Sequence, residues 1–496
     1  MEKKTSVSTF QKVSWGFGGL TENLSMNVIP TLAYNIFQIG MGISPFVISL
    51  AMSASKIVEA VSDPVFGSMS DNTRTRFGRR RPWIFFGAII ISLVFVSIWF
   101  TPRHVSDHVI LGIKMTGEFL QASYFIGTIS LFFIVFAIWQ IPFSALGLEL
   151  EEDYAERTKL QTIKVIFSYV IGTAIGSLYL ITQMKGLWGG DEITGARGVG
   201  IIVGIAMLIF GIWPAIFCRE RFATHHEKIA FWPSFIETFK DKPFKLLMGA
   251  IFFVFVALFF MLPLLNYISM YYVCSDGIHN VIKWNWKSPF SFGLEEKFLT
   301  HKELAGYLGA YGAVVQTTTQ IISVLLVNRV SKIYDKRTIL LTGLSVAIFG
   351  YASSWFLFNP SMPYLSILPP IIINIGLCAC WVLIGSFTAD ICDYDELRTG
   401  KRREGMYSAV TGFLIKLSIA LVGVITGWAL VSLGIGGQDP VLSEHQMFTL
   451  RSLYVIIPVV SMLISVAFIW KYPLTKVKVV EIQKELNDRK ALQPQA

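Results

Sequence analysis

The sequence contains few charged residues. They make up only 15% of its 496 residues, whereas hydrophobic residues make up 53%. A soluble domain usually carries about 25% charged residues, which keep its surface hydrated. The charges that are present cluster between long apolar runs, each long enough to cross a bilayer. The composition therefore excludes a soluble enzyme, a secreted scaffold and a disordered chain.

Cysteine is scarce as well, and histidine is scattered. The five cysteines are odd in number, lie mostly in or beside apolar runs and form no Cys-x-x-Cys pair with a histidine partner, so neither a disulfide framework nor a zinc site is indicated. The opening residues MEKKTSVSTFQK do not have the pattern of a signal peptide. The seven histidines show no paired spacing within an apolar run. We therefore expect no membrane-embedded enzyme.

The apolar runs predict an all-α integral membrane protein with twelve transmembrane helices. Each run is close to the ~20 residues that a helix needs to cross about 30 Å of hydrocarbon. Glycines and prolines recur inside the runs, as membrane helices tolerate. The expected spans are residues 12–39, 43–70, 82–101, 119–147, 160–184, 197–218, 244–273, 303–328, 338–358, 363–392, 404–434 and 450–471.

The distribution of positive charge predicts the orientation of the chain. If the N-terminus is cytoplasmic, most of the 42 Lys and Arg residues fall in the tails and the inner loops, as the positive-inside rule requires. We therefore expect both termini in the cytoplasm and the lipid bilayer as the surrounding partner. The net charge of +9 is then explained by the inner membrane face, so no nucleic-acid partner is expected.

A polar stretch in the middle of the chain separates six spans from six. The loop SDNTRTRFGRRRP after the second span weakly resembles the loop NRVSKIYDKRT after the eighth, which indicates an internal repeat. Two pseudo-symmetric six-helix halves would place a substrate site at their interface, near the bilayer midplane. The predicted domains are an N-terminal half at 1–218, a cytoplasmic linker at 219–243, a C-terminal half at 244–471 and a cytoplasmic tail at 472–496.

Charged residues inside the spans are the strongest indication of function. Each costs at least ~2.5–3.5 kcal/mol at the bilayer centre, so it is retained for a purpose. Three are negative and three are positive, a balance that a water-lined cavity requires. They are Glu22, Lys56, Glu59, Asp63, Lys164 and Lys416.

The second span carries three of these charges on one helical face. Lys56, Glu59 and Asp63 are three and four residues apart. The two carboxylates can bind Na⁺ together or share one proton. The alternative is a Lys56–Glu59 ion pair, with Asp63 bonded elsewhere. Lys416 lies about 18 Å along its span by helical rise, too deep to reach the surface easily, and is expected to be the counter-charge to these acids.

Polar and aromatic side chains complete the expected substrate site. Glu22 and Asn23 point about 100° apart on their helix, so we expect one of them to face the cavity. Gln140 supplies an amide and Trp381 an aromatic plane, a mixture that binds sugars; helix packing is the alternative for Trp381. Lys164, one turn into its span, either contacts the substrate or extends to the inner surface.

The inner loop at 71–82 contains five arginines. It supplies the positive-inside signal, and we also expect it to form a network with acids at other helix ends that opens and closes as the halves move. A phosphate-binding loop is excluded because there is no GxxxxGK[ST] motif. The expected members of the network are Asp71, Arg79, Arg80, Glu151, Asp153 and Asp393, with Asp395 as a further acid.

Three segments resemble the glycoside–pentoside–hexuronide:cation symporters of the major facilitator superfamily, the family of melibiose permease. They are EAVSDPVFGSMSDNTRTRFGRRRPW at 59–83, IPFSALGLELEEDYAERTKL at 141–160 and ADICDYDELRTGKRREGMYSAVTGFLIK at 389–416. The resemblance covers nearly the whole chain and implies the major facilitator fold. By it, Glu59 and Asp63 match the acids that bind the coupling cation, Lys416 matches a lysine near them, and Trp381 matches an aromatic residue near the sugar.

The chain departs from the family pattern at several of these positions. Asn23 and Gln140 fall where melibiose permease has aspartates that hold sugar hydroxyls, Ser144 where it has a tryptophan, and Ala137 where it has a cation-site threonine. Melibiose itself is therefore not the expected sugar, and the coupling ion stays open between Na⁺ and H⁺. Thr411 is also expected to bind the substrate.

These expectations combine into one function. The protein is expected to take up a sugar or glycoside by symport with Na⁺ or H⁺, by alternating access, as a monomer in the bacterial inner membrane. No cofactor besides the coupling ion is expected. The alternative is an uncoupled facilitator, or a carrier of an amphipathic lipid-like substrate, on the same fold.

Overall fold

The computed structural model describes residues 7–103, 105–110, 113–150, 154–220, 238, 241–275, 281–283, 298–331, 333–399, 404–435 and 442–492. Within these residues the regular structure is helical, apart from two antiparallel pairs of three-residue strands. β1 (His108–Ile110) pairs with β2 (Ile113–Met115), and β3 (Val281–Lys283) pairs with β4 (Phe298–Thr300). The predicted all-α class is confirmed.

The helices of the first half of the chain begin with α1, which continues into a π-helical segment at Tyr34–Gly40. They are α1 (Thr9–Ala33), α2 (Pro45–Asn72), α3 (Arg81–Trp99), α4 (Gly117–Leu150), α5 (Tyr154–Thr182), the short α6 (Lys185–Trp188) and α7 (Glu192–Phe217).

The helices of the second half begin with α8, which, like α1, continues into a π-helical segment, here at Ser269–Val273. They are α8 (Lys242–Ile268), α9 (His301–Val330), α10 (Lys336–Leu357), α11 (Leu368–Thr399), α12 (Glu404–Ser432), α13 (Glu444–Trp470) and the tail helix α14 (Lys476–Leu492).

Eleven of the described helices are long and apolar enough to cross a membrane. The remaining predicted span corresponds to α1, whose 25 residues are enough to cross the hydrocarbon. Lys12, Glu22 and Asn23 make it less apolar than the others. The protein is therefore a multi-pass membrane protein.

The described helices form two compact units. Unit 1 comprises Met1–His226, Lys302–Thr317 and Gly423–Leu442, and unit 2 comprises Glu227–His301, Thr318–Val422 and Ser443–Ala496. In unit 1, α1 packs on α5 and α7, α2 on α4, and α3 on α4 and α7. In unit 2, α8 packs on α13, α10 on α11 and α13, and α14 on α11. The predicted domain boundaries stay a prediction.

An arginine contact is repeated in the two units. Arg81, the first residue of α3, donates from Nε to the carbonyl oxygen of Ala215 at 2.7 Å and from Nη2 to that of Ile216 at 3.2 Å, at the end of α7. Arg337, the second residue of α10, donates to the carbonyl oxygen of Trp470, the last residue of α13. A cation is favoured at a helix C-terminus, where the last carbonyls lack helical partners. We call these two contacts the arginine clamps.

Candidate functional site

An ion pair connects α1 to α5 inside unit 1. Lys164 Nζ lies 2.5 Å from Glu22 Oε2, and the two side chains are only 19% and 16% exposed. Removing two charges from water costs several kcal/mol per ion, and the attraction between the two charges offsets this cost only in part. Such a pair is therefore weak evidence for stability, and its position inside a membrane helix bundle makes it a candidate functional group.

Two glycines of α1 allow this contact. A Cβ atom at Gly19 would lie 2.7 Å from Lys164 Cγ, and one at Gly18 would lie 2.2 Å from the ring of Phe143. Real Cβ atoms essentially never approach other atoms so closely. Both positions therefore require glycine. The two glycines let α1 cross α4 and α5 closely enough for Lys164 to reach Glu22.

An amide and a hydroxyl from α4 extend the ion pair. Gln140 Nε2 lies 3.5 Å from Glu22 Oε1 and 3.3 Å from Ser144 Oγ. Four of the predicted substrate residues thus meet in one place, which we call the polar cluster: Glu22, Gln140, Ser144 and Lys164. Its carboxylate accepts hydrogen bonds, its ammonium donates them, and its amide and hydroxyl do both.

Two stacked aromatic rings flank the polar cluster, and the sequence analysis missed both. The rings of Trp15 and Phe143 lie 5.1 Å apart at an interplanar angle of 17°. Lys164 Nζ lies 5.7 Å from the centroid of each ring. Trp15 precedes Glu22 by seven residues, two helical turns, so it shares the face of Glu22. That spacing could have identified Trp15, whereas Phe143 gave no comparable signal.

The other predicted substrate residues lie outside the polar cluster. Asn23 receives hydrogen bonds from Asn27 Nδ2 at its carbonyl oxygen, at 3.1 Å, and at its Oδ1, at 3.2 Å. In unit 2, Trp381 is 57% exposed and meets Phe255 edge-on, with ring centroids 5.3 Å apart. Thr411 is buried and donates to the carbonyl oxygen of Tyr407 at 2.8 Å. A role for these three residues in binding stays a prediction.

A second ion pair lies on α2. Lys56 Nζ lies 2.8 Å from Glu59 Oε2, with side chains 13% and 5% exposed. The Lys56–Glu59 contact that was weighed as an alternative is therefore present, and Asp63, half-buried, follows one turn later. Lys416 lies in α12 within unit 2, so its approach to these acids stays a prediction. Among the described residues, no group of three or more His, Cys, Asp or Glu side chains could hold a metal ion.

The arginine-rich loop is held by an acid that the sequence analysis did not select. The carboxylate of Glu220 accepts hydrogen bonds from the backbone N–H groups of Arg79, Arg80 and Arg81, at 3.0, 2.8 and 3.2 Å. It therefore caps the start of α3, where free N–H groups and the helix dipole favour an anion. Gly78, with φ of +107°, makes the turn into this cap.

The predicted loop network is described only in part. Glu151, Asp153 and the side chain of Asp71 lie outside the described residues. Asp393 accepts a hydrogen bond from Gln483 of the tail helix at 3.2 Å. The predicted pairing of the loop arginines with these acids stays a prediction.

Unit 2 contains an acid cluster of its own near the start of α8. Asp241 is buried, accepts a hydrogen bond from the Tyr407 hydroxyl and pairs with Arg398. Arg398 also lies 3.3 Å from the buried Asp395, one helical turn earlier on α11. Asp395 was predicted as a partner of the inner loop, whereas Asp241 was not predicted to have any role.

Comparison with known proteins identifies the family. The family model described as MFS/sugar transport protein matches residues 14–282 and 303–476. The chain belongs to this family. Its members are transporters, so the expectation that the protein is not an enzyme is confirmed.

Two bacterial proteins are similar to the chain over nearly its whole length. A putative glycoside/cation symporter of Escherichia coli, YagG, is 24% identical, and the match covers 99% of this chain and 98% of the relative. The isoprimeverose transporter of Lactiplantibacillus pentosus is also 24% identical, over 96% and 91%. The melibiose-permease-like resemblance is confirmed.

Solved structures support the fold. A D-xylose–proton symporter has a TM-score of 0.56 at 14% identity, over 94% of this chain and 98% of that protein. A bacterial homologue of the human peptide transporters PepT1 and PepT2 has a TM-score of 0.64 at 12% identity, over 97% and 100%. At such identities the likeness concerns the fold alone.

Proposed function

We propose that this protein is a secondary active transporter that takes up a neutral sugar or glycoside by symport with Na⁺ or H⁺. The observation that carries the proposal is the polar cluster, which presents a carboxylate, an ammonium, an amide and a hydroxyl inside a helix bundle. The names of two relatives, a putative glycoside/cation symporter and an isoprimeverose transporter, point in the same direction.

The chemistry of the polar cluster suits a sugar. Hydroxyl groups both donate and accept hydrogen bonds, so they can satisfy Glu22, Gln140 and Lys164 together. The stacked rings of Trp15 and Phe143 are buried, so they support the polar cluster from behind rather than contact the sugar.

The charge of the cluster favours an uncharged substrate. Glu22 and Lys164 contribute one negative and one positive charge, which cancel. A neutral glycoside leaves that balance intact, whereas a hexuronide would bring an extra negative charge into a low-dielectric site. Within the sugar class we therefore infer neutral glycosides or pentosides rather than hexuronides.

Coupling is assigned to Glu59, Asp63 and Lys416. Binding of one cation at the two acids changes the local charge by one and so shifts the balance between the outward-open and inward-open states. Transport then follows by alternating access of a single chain in the bacterial inner membrane, with both termini in the cytoplasm.

Transport into proteoliposomes tests the proposal. The purified protein should accumulate neutral glycosides when a Na⁺ or H⁺ gradient is imposed, and should not accumulate hexuronides. The Asp63→Asn variant should lose gradient-driven accumulation but retain exchange of labelled for unlabelled sugar. Full accumulation by that variant would refute the coupling role of Asp63, and no accumulation of any sugar by the wild type would refute the function.

A further inference from the structure

A polar cavity of about 180 Å³ lies where the tail helix α14 meets the rest of unit 2. Its wall contains two lysines and two aspartates. Lys336 Nζ donates to both carboxylate oxygens of Asp390, at 2.9 and 2.7 Å, and Lys476 Nζ donates to the carbonyl oxygen of Ile333 at 3.4 Å. Together with Asp335, these residues present both signs of charge to any group that enters the cavity.

This cavity lies at the edge of the membrane-spanning part of the chain. α9 ends at Val330 and α10 begins at Lys336, and both helices are long and apolar enough to cross a membrane. The cavity is lined by Ser331 and Tyr334 of the segment between them. It is therefore at the level of the lipid headgroups, just outside the hydrocarbon.

An apolar groove of about 370 Å³ begins beside the polar cavity and continues along the membrane-spanning helices. Tyr334 lines both spaces, so they adjoin. Along α10 the groove extends from Thr338 to Val346, about 12 Å by helical rise, which is close to half of the ~30 Å hydrocarbon thickness. The groove thus has the length of one membrane leaflet, and its volume is within the range of about 300–1,000 Å³ typical of ligand sites.

Small residues at the crossing of α10 and α11 form the floor of the groove. A Cβ atom at Gly343 would lie 2.5 Å from the carbonyl oxygen of Gly376, so the two helix backbones are in direct contact, and Ala379 continues this floor. The wall includes Leu326 and Val330 of α9, which are 56% and 37% exposed. An apolar groove with exposed walls at this depth suits a hydrocarbon chain, since water finds no partners there.

We propose that unit 2 binds one phospholipid with an ethanolamine headgroup. Its phosphate and ammonium lie in the polar cavity, against the lysines and the aspartates respectively, and one acyl chain lies in the apolar groove. A primary ammonium offers three N–H donors to the carboxylates, whereas a choline headgroup offers none and a glycerol headgroup lacks the positive charge. The polar cluster belongs to unit 1, so this lipid is a bound component of the transporter and not its substrate.

Lipid binding to the purified full-length protein provides the test. The delipidated protein in detergent is titrated with dioleoyl phosphatidylethanolamine, phosphatidylcholine or phosphatidylglycerol, and bound lipid is counted by native mass spectrometry. The wild type should bind one phosphatidylethanolamine about tenfold more tightly than either other lipid, because hydrogen bonds to charged groups are worth about that factor or more.

Two variants with matched controls locate the site. Thr342→Trp places an indole in the groove, and Lys476→Gln removes a partner of the phosphate, so each should weaken the binding of phosphatidylethanolamine about tenfold. The controls Ser345→Trp and Lys478→Gln change exposed residues of the same two helices that line neither space, and they should bind as the wild type does.

Two results would overturn the proposal. One is equal binding of the three lipids or a preference for phosphatidylglycerol, since the paired charges of the cavity would then select nothing. The other is a binding of phosphatidylethanolamine that the two site variants weaken no more than their controls, and Thr342→Phe repeats the measurement if Thr342→Trp fails to fold. Neither sugar nor an ion gradient is present, so both outcomes are independent of the proposed transport function.

Discussion

A double-mutant cycle on Glu22 and Lys164 tests whether the polar cluster was retained for function rather than stability. In Lys164→Met the Glu22 carboxylate keeps only the Gln140 amide, at 3.5 Å. Removing one partner of a buried ion pair costs about 3–5 kcal/mol, and the remaining exposure of 16% on Glu22 lowers our expectation to about 2–4 kcal/mol. Glu22→Gln should cost a similar amount, because it leaves the ammonium buried.

The double variant Glu22→Gln/Lys164→Met should be nearly as stable as the wild type, within about 1 kcal/mol, because no uncompensated charge remains. Reversible unfolding in mixed micelles gives the free energies of unfolding of the wild type and the three variants. Sugar binding, measured by calorimetry, should be lost in both single variants and also in the double variant, where stability has returned. Additive losses of stability, or sugar binding that returns with stability, would refute the reasoning.

Three further predictions concern the surroundings of the site. Glu220→Ala removes the acceptor of three N–H groups at the start of α3 and should lower the free energy of unfolding by about 1–2 kcal/mol, with a smaller loss in Glu220→Gln. Gly19→Val should lower the free energy of unfolding by about 1–3 kcal/mol through overpacking, and it should weaken sugar binding. The control Gly127→Val, with nothing within 4 Å of its Cβ position, should change neither the free energy of unfolding nor sugar binding. The hydrogen bond from Arg103 lowers the pKa of Asp191 to about 2. The Arg103–Asp191 pair therefore stabilises the folded protein above about pH 4, and this stabilisation is lost as the pH falls towards 2. Thermal unfolding of Asp191→Asn across this range should lack that decrease.

The helices and the charges inside them could be predicted from the sequence because both follow from transfer energies. An apolar run of about 20 residues has few alternatives to a membrane helix, and a charge within it is costly wherever its helix packs. For this reason Glu22 and Lys164 could be selected before their contacts were known, whereas Gln140 was selected as an amide suited to a sugar and Ser144 only through the family resemblance. The weakly apolar α1 was still predicted, because its polar residues are few and its length is sufficient.

The pairing of those residues could not be predicted from the sequence. Whether Lys164 meets Glu22 or extends to the membrane surface depends on how closely α1 and α5 cross, which Gly19 decides. Glu220 was missed because an acid just beyond a helix end resembles any other loop acid. Its role depends on the position of α3, which is distant in the sequence.

The arginine clamps have a consequence for biogenesis. Every group that the Arg81 clamp connects belongs to the first 216 residues. During synthesis this clamp can therefore close as soon as α7 has entered the membrane, before any helix of the second half has been translated. The second clamp ends on Trp470 and must wait until the chain is nearly complete. A nascent chain paused after α7 would therefore already hold every group of the first clamp and none of the second.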